Sequence, residues 1–117
     1  MDIYKFKANT KDVLWEMSNI TPSETGLDQM VWFQYKTNKE KHWARLKIKI
    51  DNIFVPITIS DDPEIRIRDK RIIKKIDSNS WKKIRRFIIK NKKALLDFWN
   101  AEGEIGIDDL LKRIKKI

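Results

Sequence analysis

Between His42 and Ile59 the chain alternates apolar and polar residues on either side of a two-residue break, and that pattern demands an antiparallel hairpin with one apolar face. Ala44, Leu46, Ile48 and Ile50 fall on one side, and Trp43, Arg45, Lys47 and Lys49 on the other. Asp51-Asn52 suits a two-residue turn, after which Ile53 to Ile59 returns. This turn sets Ile50 against Ile53, Ile48 against Val55, Leu46 against Ile57 and Ala44 against Ile59. Every pair is apolar, so the hydrophobic pattern supports the register independently of the turn. Pro56 then faces Lys47 in a non-hydrogen-bonded pair. Its missing N–H points away from the hairpin, which suits an edge strand or a bulge.

Around the hairpin the sequence predicts further short elements. Val31 to Tyr35 reads as a strand and Thr37 to Lys41 as a loop. Asp61-Asp62-Pro63 breaks the sheet run, Glu64 to Arg68 alternates as another strand, and Asp69-Lys70 is a turn. Arg71 to Ile76 reads as a short strand or an irregular bridge. Upstream, residues 1–9 form an extended lead-in, and Thr10 to Met17 a short helix capped by Asn9 or Thr10, although Val13-Leu14-Trp15 also suits a buried strand. Ile20 to Asp28 is a loop. Thr21 to Glu24 has capping-box spacing, but Gly26 follows too soon for more than one turn.

The second constraint is the stretch from Ser78 to Glu102, read as one long amphipathic helix with its N-cap among Ser78, Asn79 and Ser80. At 100° per residue, Trp81, Ile84, Phe87, Ile88, Asn91, Ala94, Leu95, Phe98 and Trp99 share one side. Lys82, Lys83, Arg86, Lys90 and Lys93 share the other, flanked by Arg85 and Lys92. Between Trp81 and Leu96 there are seven basic residues and no acidic one. Gly103 and Gly106 end the helix, and Ile107 to Ile117 forms a second one. That terminal helix, folded back, is the expected cover for Ile89 and Leu96. The fold expected is α+β: an antiparallel β-meander packed against one long amphipathic helix, with a short C-terminal helix folded back. A single domain spans residues 1–117, with the lead-in to 24, the strands over 25–76 and the helical part over 77–117.

Charge narrows the functional classes. The net charge is +9, and residues 61–117 hold seventeen basic and ten acidic residues against nine and seven in residues 1–60. An anionic partner accounts for that asymmetry, and so does plain solubility. No cysteine is present, which excludes disulfides and thiolate metal sites. No stretch approaches a membrane span and the first residues carry no apolar leader, so a cytoplasmic protein is expected.

Several segments carry a family likeness: Thr25-Gly26-Leu27 leading into Val31-Trp32, His42 with Arg45 entering a strand, and Ile57-Thr58-Ile59. The run Asn91 to Trp99 and Glu104-Ile105 before Leu110-Leu111 continue it. In these the chain resembles, over residues 25–117, a family of short bacterial proteins. Its last third is similar to the end of the small domain of unknown function DUF4160, whose genes are often found in toxin–antitoxin-like neighbourhoods. The resemblance implies a β-meander followed by a helix and brings no activity with it.

Chemistry-bearing residues are few. His42 is the only histidine, and its place on the face of Ala44 and Leu46 favours a rim position in the core over a general base. Asp61, Asp62 and Glu64 flank Pro63, where a turn is favoured over a cation site. No Gly-rich phosphate loop or nucleophile elbow is present, so an enzyme is the less expected class, and neither metal nor cofactor is expected. Two surfaces suit a polyanion instead. Lys82, Lys83, Arg85, Arg86, Lys90 and Lys93 would meet phosphates along the helix, without the Asn or Gln spacing that reads bases. Trp43, Arg45 and Lys47 would add stacking faces and cations on the hairpin. The first reading is a non-enzymatic module binding nucleic acid by charge and stacking. The alternative is an antitoxin- or inhibitor-like module docking on an acidic protein, and a small hydrolase or nuclease using His42 is more remote.

Overall fold

Asp51 and Asn52 take φ angles of 51° and 67°, the left-handed pair that closes a two-residue hairpin without splaying its strands. The computed structural model describes residues 19–20, 22–36 and 43–117, and in it the hairpin forms around these two residues. β3 (Arg45–Ile50) and β4 (Ile53–Thr58) pair with Ile50 on Ile53, Ile48 on Val55 and Leu46 on Ile57. The ladder continues one step further, where Ile59 N donates to the Ala44 carbonyl at 3.0 Å. With β1 (Asn19–Ile20) and β2 (Val31–Trp32), the strands lie in sequence order β1-β2-β3-β4, each antiparallel to the next. The fold is mixed α+β.

Pro56 sits opposite Lys47. Its outward carbonyl accepts from Arg66 N at 2.9 Å, and Thr58 N donates to the Glu64 carbonyl at 2.9 Å. The segment predicted as a strand over Glu64–Arg68 therefore runs along β4, but it is held by the single bridge Ile57↔Ile65. β2 is likewise shorter than the predicted Val31–Tyr35. After Trp32 the chain leaves the sheet: Phe33 is buried and stacks on Phe87 with centroids 6.4 Å apart, and Lys36 N donates to the Trp99 carbonyl at 2.8 Å.

The predicted loop before β2 carries one helical turn, α1 (Pro22–Thr25), closed by Gly26 at φ 84°. Arg71–Ile76, predicted as a strand or bridge, contains instead the short helix α2 (Lys70–Ile73). The reason is local. Asp69 is its N-cap, its carboxylate accepting from Arg71 N at 3.0 Å, while buried Ile72 anchors the turn in the core. The predicted helix over Thr10–Met17, the loop 37–41 and His42 lie outside the described residues.

The long helix is two helices, α3 (Ser78–Lys90) and α4 (Lys92–Asn100), separated by Asn91 at φ −107° and ψ 14°. Its N-cap is Asp77, one residue before the predicted serines and asparagine, with the carboxylate accepting from Ser80 N at 2.8 Å. The apolar stripe is as the 3.6-residue period requires. Ile84, Phe87, Ile88, Leu95, Phe98 and Trp99 are buried, and the first five join Val31, Leu46, Ile48, Val55 and Ile57 in one core. Each such side chain contributes about 1.5–3 kcal/mol by leaving water.

Asn91 is the polar member of that stripe, 3% exposed, and it explains the break. Its Nδ2 donates to the Phe87 carbonyl at 3.0 Å, which also accepts the Asn91 backbone N–H at 3.0 Å. The side chain thereby competes for a carbonyl of the helix itself. The rest of the carboxamide clasps the chain after α5 (Ile107–Arg113): Nδ2 donates to the Lys115 carbonyl at 2.9 Å and Lys115 N donates to Oδ1 at 2.7 Å. Ile117 N then reaches the Thr25 carbonyl at 3.1 Å. Gly26 lies so close to Ile117 that a Cβ there would collide with the Ile117 carbonyl oxygen. The terminal segment thus ends as an extended strap from Ile114, not as helix to Ile117. It crosses the helix at Asn91 and leaves Ile89 44% exposed, contrary to the expected cover; Leu96 is packed against the core.

Three substitutions test these local causes. Asp77→Ala is expected to cost about 1 kcal/mol in urea unfolding as a lost cap, whereas Ser78→Ala stays within about 0.5 kcal/mol. Equal effects would return the cap to the serine. Asn91→Ala strands the Lys115 N–H and carbonyl and is expected to cost about 1–3 kcal/mol, with faster amide exchange confined to residues 114–117.

Candidate functional site

Every cation predicted along the helix emerges on the outside, but their surroundings divide them. Lys83 lies 3.6 Å from Asp28, Arg85 donates to Asp62 at 2.9 Å, and Lys93 to Asp97 at 3.2 Å. Lys92 is likewise paired, with Asp61 at 2.6 Å. Exposed pairs of this kind contribute about 0–1 kcal/mol to stability, but each cancels a unit of charge locally. Lys82 and Arg86 are exposed with no acidic partner among the described residues. Lys90 donates to the Lys116 carbonyl at 3.1 Å.

The carboxylates around Pro63 take part in such pairs. Asp61 and Asp62 hold Lys92 and Arg85, and Glu64 holds Arg66 at 2.8 Å. Among the described residues no three His, Cys, Asp or Glu side chains are grouped to hold a metal ion.

The hairpin surface departs from an exposed row of stacking and basic groups. Arg45 and Lys47 are half-buried against aromatic rings: the Arg45 guanidinium lies 5.5 Å from the Trp99 ring, and Lys47 Nζ 4.8 Å from that of Trp32. Trp32 itself meets Phe54 edge-on at 5.3 Å. Only Trp43 of the three predicted residues is well exposed, at 42%, and its nearest guanidinium belongs to Arg66, 5.0 Å from the ring, with Arg45 at 6.0 Å. The alternation of Glu64 to Arg68 placed Arg66 on a strand, but its approach to Trp43 depended on how that strand lies beside β4.

The arrangement that the sequence did not announce is at the helix break. The strap held by Asn91 lays Lys115 beside the cations of α3 and α4, and the end of α5 adds Lys112 and Arg113. Lys90, Lys93, Lys112, Arg113 and Lys115 line one groove of about 400 Å³. Asp97 sits at its margin, shared between Lys93 and Arg113, the latter donating at 3.0 Å. The Arg113 hydrogen bond, followed by that of Lys93, holds the Asp97 carboxyl below its ordinary value of 3.8. The five cations form a concave positive surface, and Asp97 is bonded to two of them. The only sequence signal for it was the Lys-rich end, Lys112 to Lys116, whose position relative to Lys90 is a tertiary fact.

No protein-family model, curated protein or solved structure matches this chain. Among the described residues no helix is long and apolar enough to cross a membrane.

Asp97 gives a signed prediction. Its carboxyl titrates lower in the folded state than the unfolded 3.8, so its contribution is present above that pH and is lost as pH falls through the folded value. The stability difference between the wild type and Asp97→Asn is therefore expected to be constant from neutral pH to about 5 and to shrink below 3.8. Unfolding curves across that range measure it. A difference that persists unchanged to pH 2 would mean that the Arg113 and Lys93 contacts do not form in solution.

Proposed function

We propose that the chain is a non-enzymatic module that holds nucleic acid by its phosphate backbone, without sequence specificity. The observation that carries this reading is the groove at the helix break, where cations from α3, α4, α5 and the strap converge. Lys90, Lys112 and Lys115 would make the principal phosphate contacts, extended along α3 by Lys82 and Arg86. Lys83, Arg85 and Lys93, which are paired with acidic side chains, would contribute less. Trp43, flanked by Arg66 and Arg45, offers the second contact, a ring on which a base could stack for about 1–3 kcal/mol. A bacterial setting like that of the DUF4160 resemblance suits such a module. The hydrolase reading has less behind it, since Asp61, Asp62 and Glu64 are each paired with a cation.

Binding of a labelled single strand and a labelled duplex at two salt concentrations tests the proposal. Affinity for both should fall steeply with salt, by about 0.7 log units per log unit of salt for each phosphate contact on a single strand. The triple variant Lys90→Glu, Lys112→Glu, Lys115→Glu should bind at least about tenfold more weakly with a slope shallower by about 2. Asp97→Asn should bind more tightly than the wild type. Absence of binding at low salt, or binding that ignores salt, would overturn the reading.

A further inference from the structure

The segment after Pro63 runs beside β4, and among the described residues only its β4 side is bonded. Arg66 N and the Glu64 carbonyl point towards β4 and bond there. By strand alternation the N–H and C=O of Ile65, and then of Ile67, point the other way. Neither has a hydrogen-bond partner among the described residues. The side chains alternate correspondingly: Glu64, Arg66 and Arg68 are exposed, while Ile65 and Ile67 pack against the core. Beside this edge lies a groove of about 610 Å³, walled by residues 63–68 and by Lys70 and Trp81. An edge whose outward backbone groups have no partner among the described residues, next to a groove, is a template for another strand.

Charge identifies the occupant. Arg66, Arg68 and Lys70 border the groove with Glu64 as the only acid there among the described residues, and Glu64 is already engaged by Arg66. Arg68 and Lys70 have no acidic partner among the described residues. We propose that this edge binds an acidic peptide in extended conformation, added antiparallel as an outer strand, with main-chain bonds to Ile65 and Ile67. Its carboxylates meet Arg68 and Lys70, and its alternate side chains face Trp81. A second copy of the chain is the rival occupant, because pairing about Arg66 would set Glu64 against Arg68 twice. Two copies each carrying +9 repel one another, and that register also opposes the two Arg66 side chains. The edge shares no residue with the cationic groove at the helix break, so the two sites are separable by mutation.

The test uses a labelled peptide of alternating Glu and Val, about ten residues long, titrated by anisotropy at physiological salt. Its counterpart carries N-methyl groups on the residues whose amides would face the edge. The unmodified peptide is expected to bind and the N-methylated one to bind at least about tenfold more weakly. The double variant Arg68→Glu, Lys70→Glu, both exposed, should also lose about tenfold while keeping the wild-type unfolding midpoint. Amide exchange at Ile65 and Ile67 should slow when the peptide is added. The triple variant of the helix-break groove should bind the peptide as the wild type does, so failure of the nucleic-acid reading leaves this one standing. Equal affinity for the two peptides would reduce the site to charge alone and overturn strand addition. So would a dimer in light scattering whose dissociation is needed before the peptide binds.

Discussion

A single carboxamide holds the helical half of this protein in its arrangement. Asn91 breaks the helix by bonding back to the Phe87 carbonyl, and the same group forms a two-bond clasp with the backbone of Lys115. A buried amide must find partners, because leaving them unmade costs about as much as each bond contributes several times over. Here they come from a segment 24 residues away, and satisfying them fixes where the strap runs. The strap in turn carries Ile117 to Thr25 and closes against Gly26, so the short turn before β2 and the far end of the chain are tied through one side chain.

That clasp bears directly on charge. Without it, the lysines of α5 and the strap and those of α3 would be separate basic segments, each solvated by itself. Brought together, Lys90, Lys112 and Lys115 share a concave surface in which their fields add. Elsewhere the fold does the opposite. Asp28, Asp61 and Asp62 sit on loops that return to α3 and α4 and take up Lys83, Lys92 and Arg85. The basic face that looked continuous along the helix is therefore divided into a neutralised flank and a concentrated end.

The legibility of these features differs residue by residue. The register of Ile48 on Val55 followed from a turn type and a two-residue period, both local, and it holds. The burial of Ile84, Phe87, Leu95 and Phe98 followed from a 3.6-residue period and also holds. Asn91 on that same stripe was a visible anomaly, a polar residue where the period demands an apolar one, but its partner was not visible. Asp77 was passed over as cap because three good candidates followed it, and helix ends are decided by small differences among neighbours. Residues 70–73 have the β-branched composition of a strand, and an aspartate cap with one buried isoleucine overrode it. Arg45 and Lys47 alternate outward as expected, but alternation says nothing about whether an outward side chain is covered, and both lie against rings.

The sequence by itself determined the hairpin, its apolar face, the helical stripe and the excess of positive charge. These rest on periodicity, turn conformation and composition, which each segment carries without reference to the others. Only the tertiary structure decided which cations are paired with carboxylates, where the strap crosses, and how the segment after Pro63 lies against β4. Those outcomes depend on contacts between residues distant in the chain, such as Arg85 with Asp62, Asn91 with Lys115 or Ile117 with Thr25. The closure of such distant pairs is set by the path of the whole chain, and no local pattern encodes it.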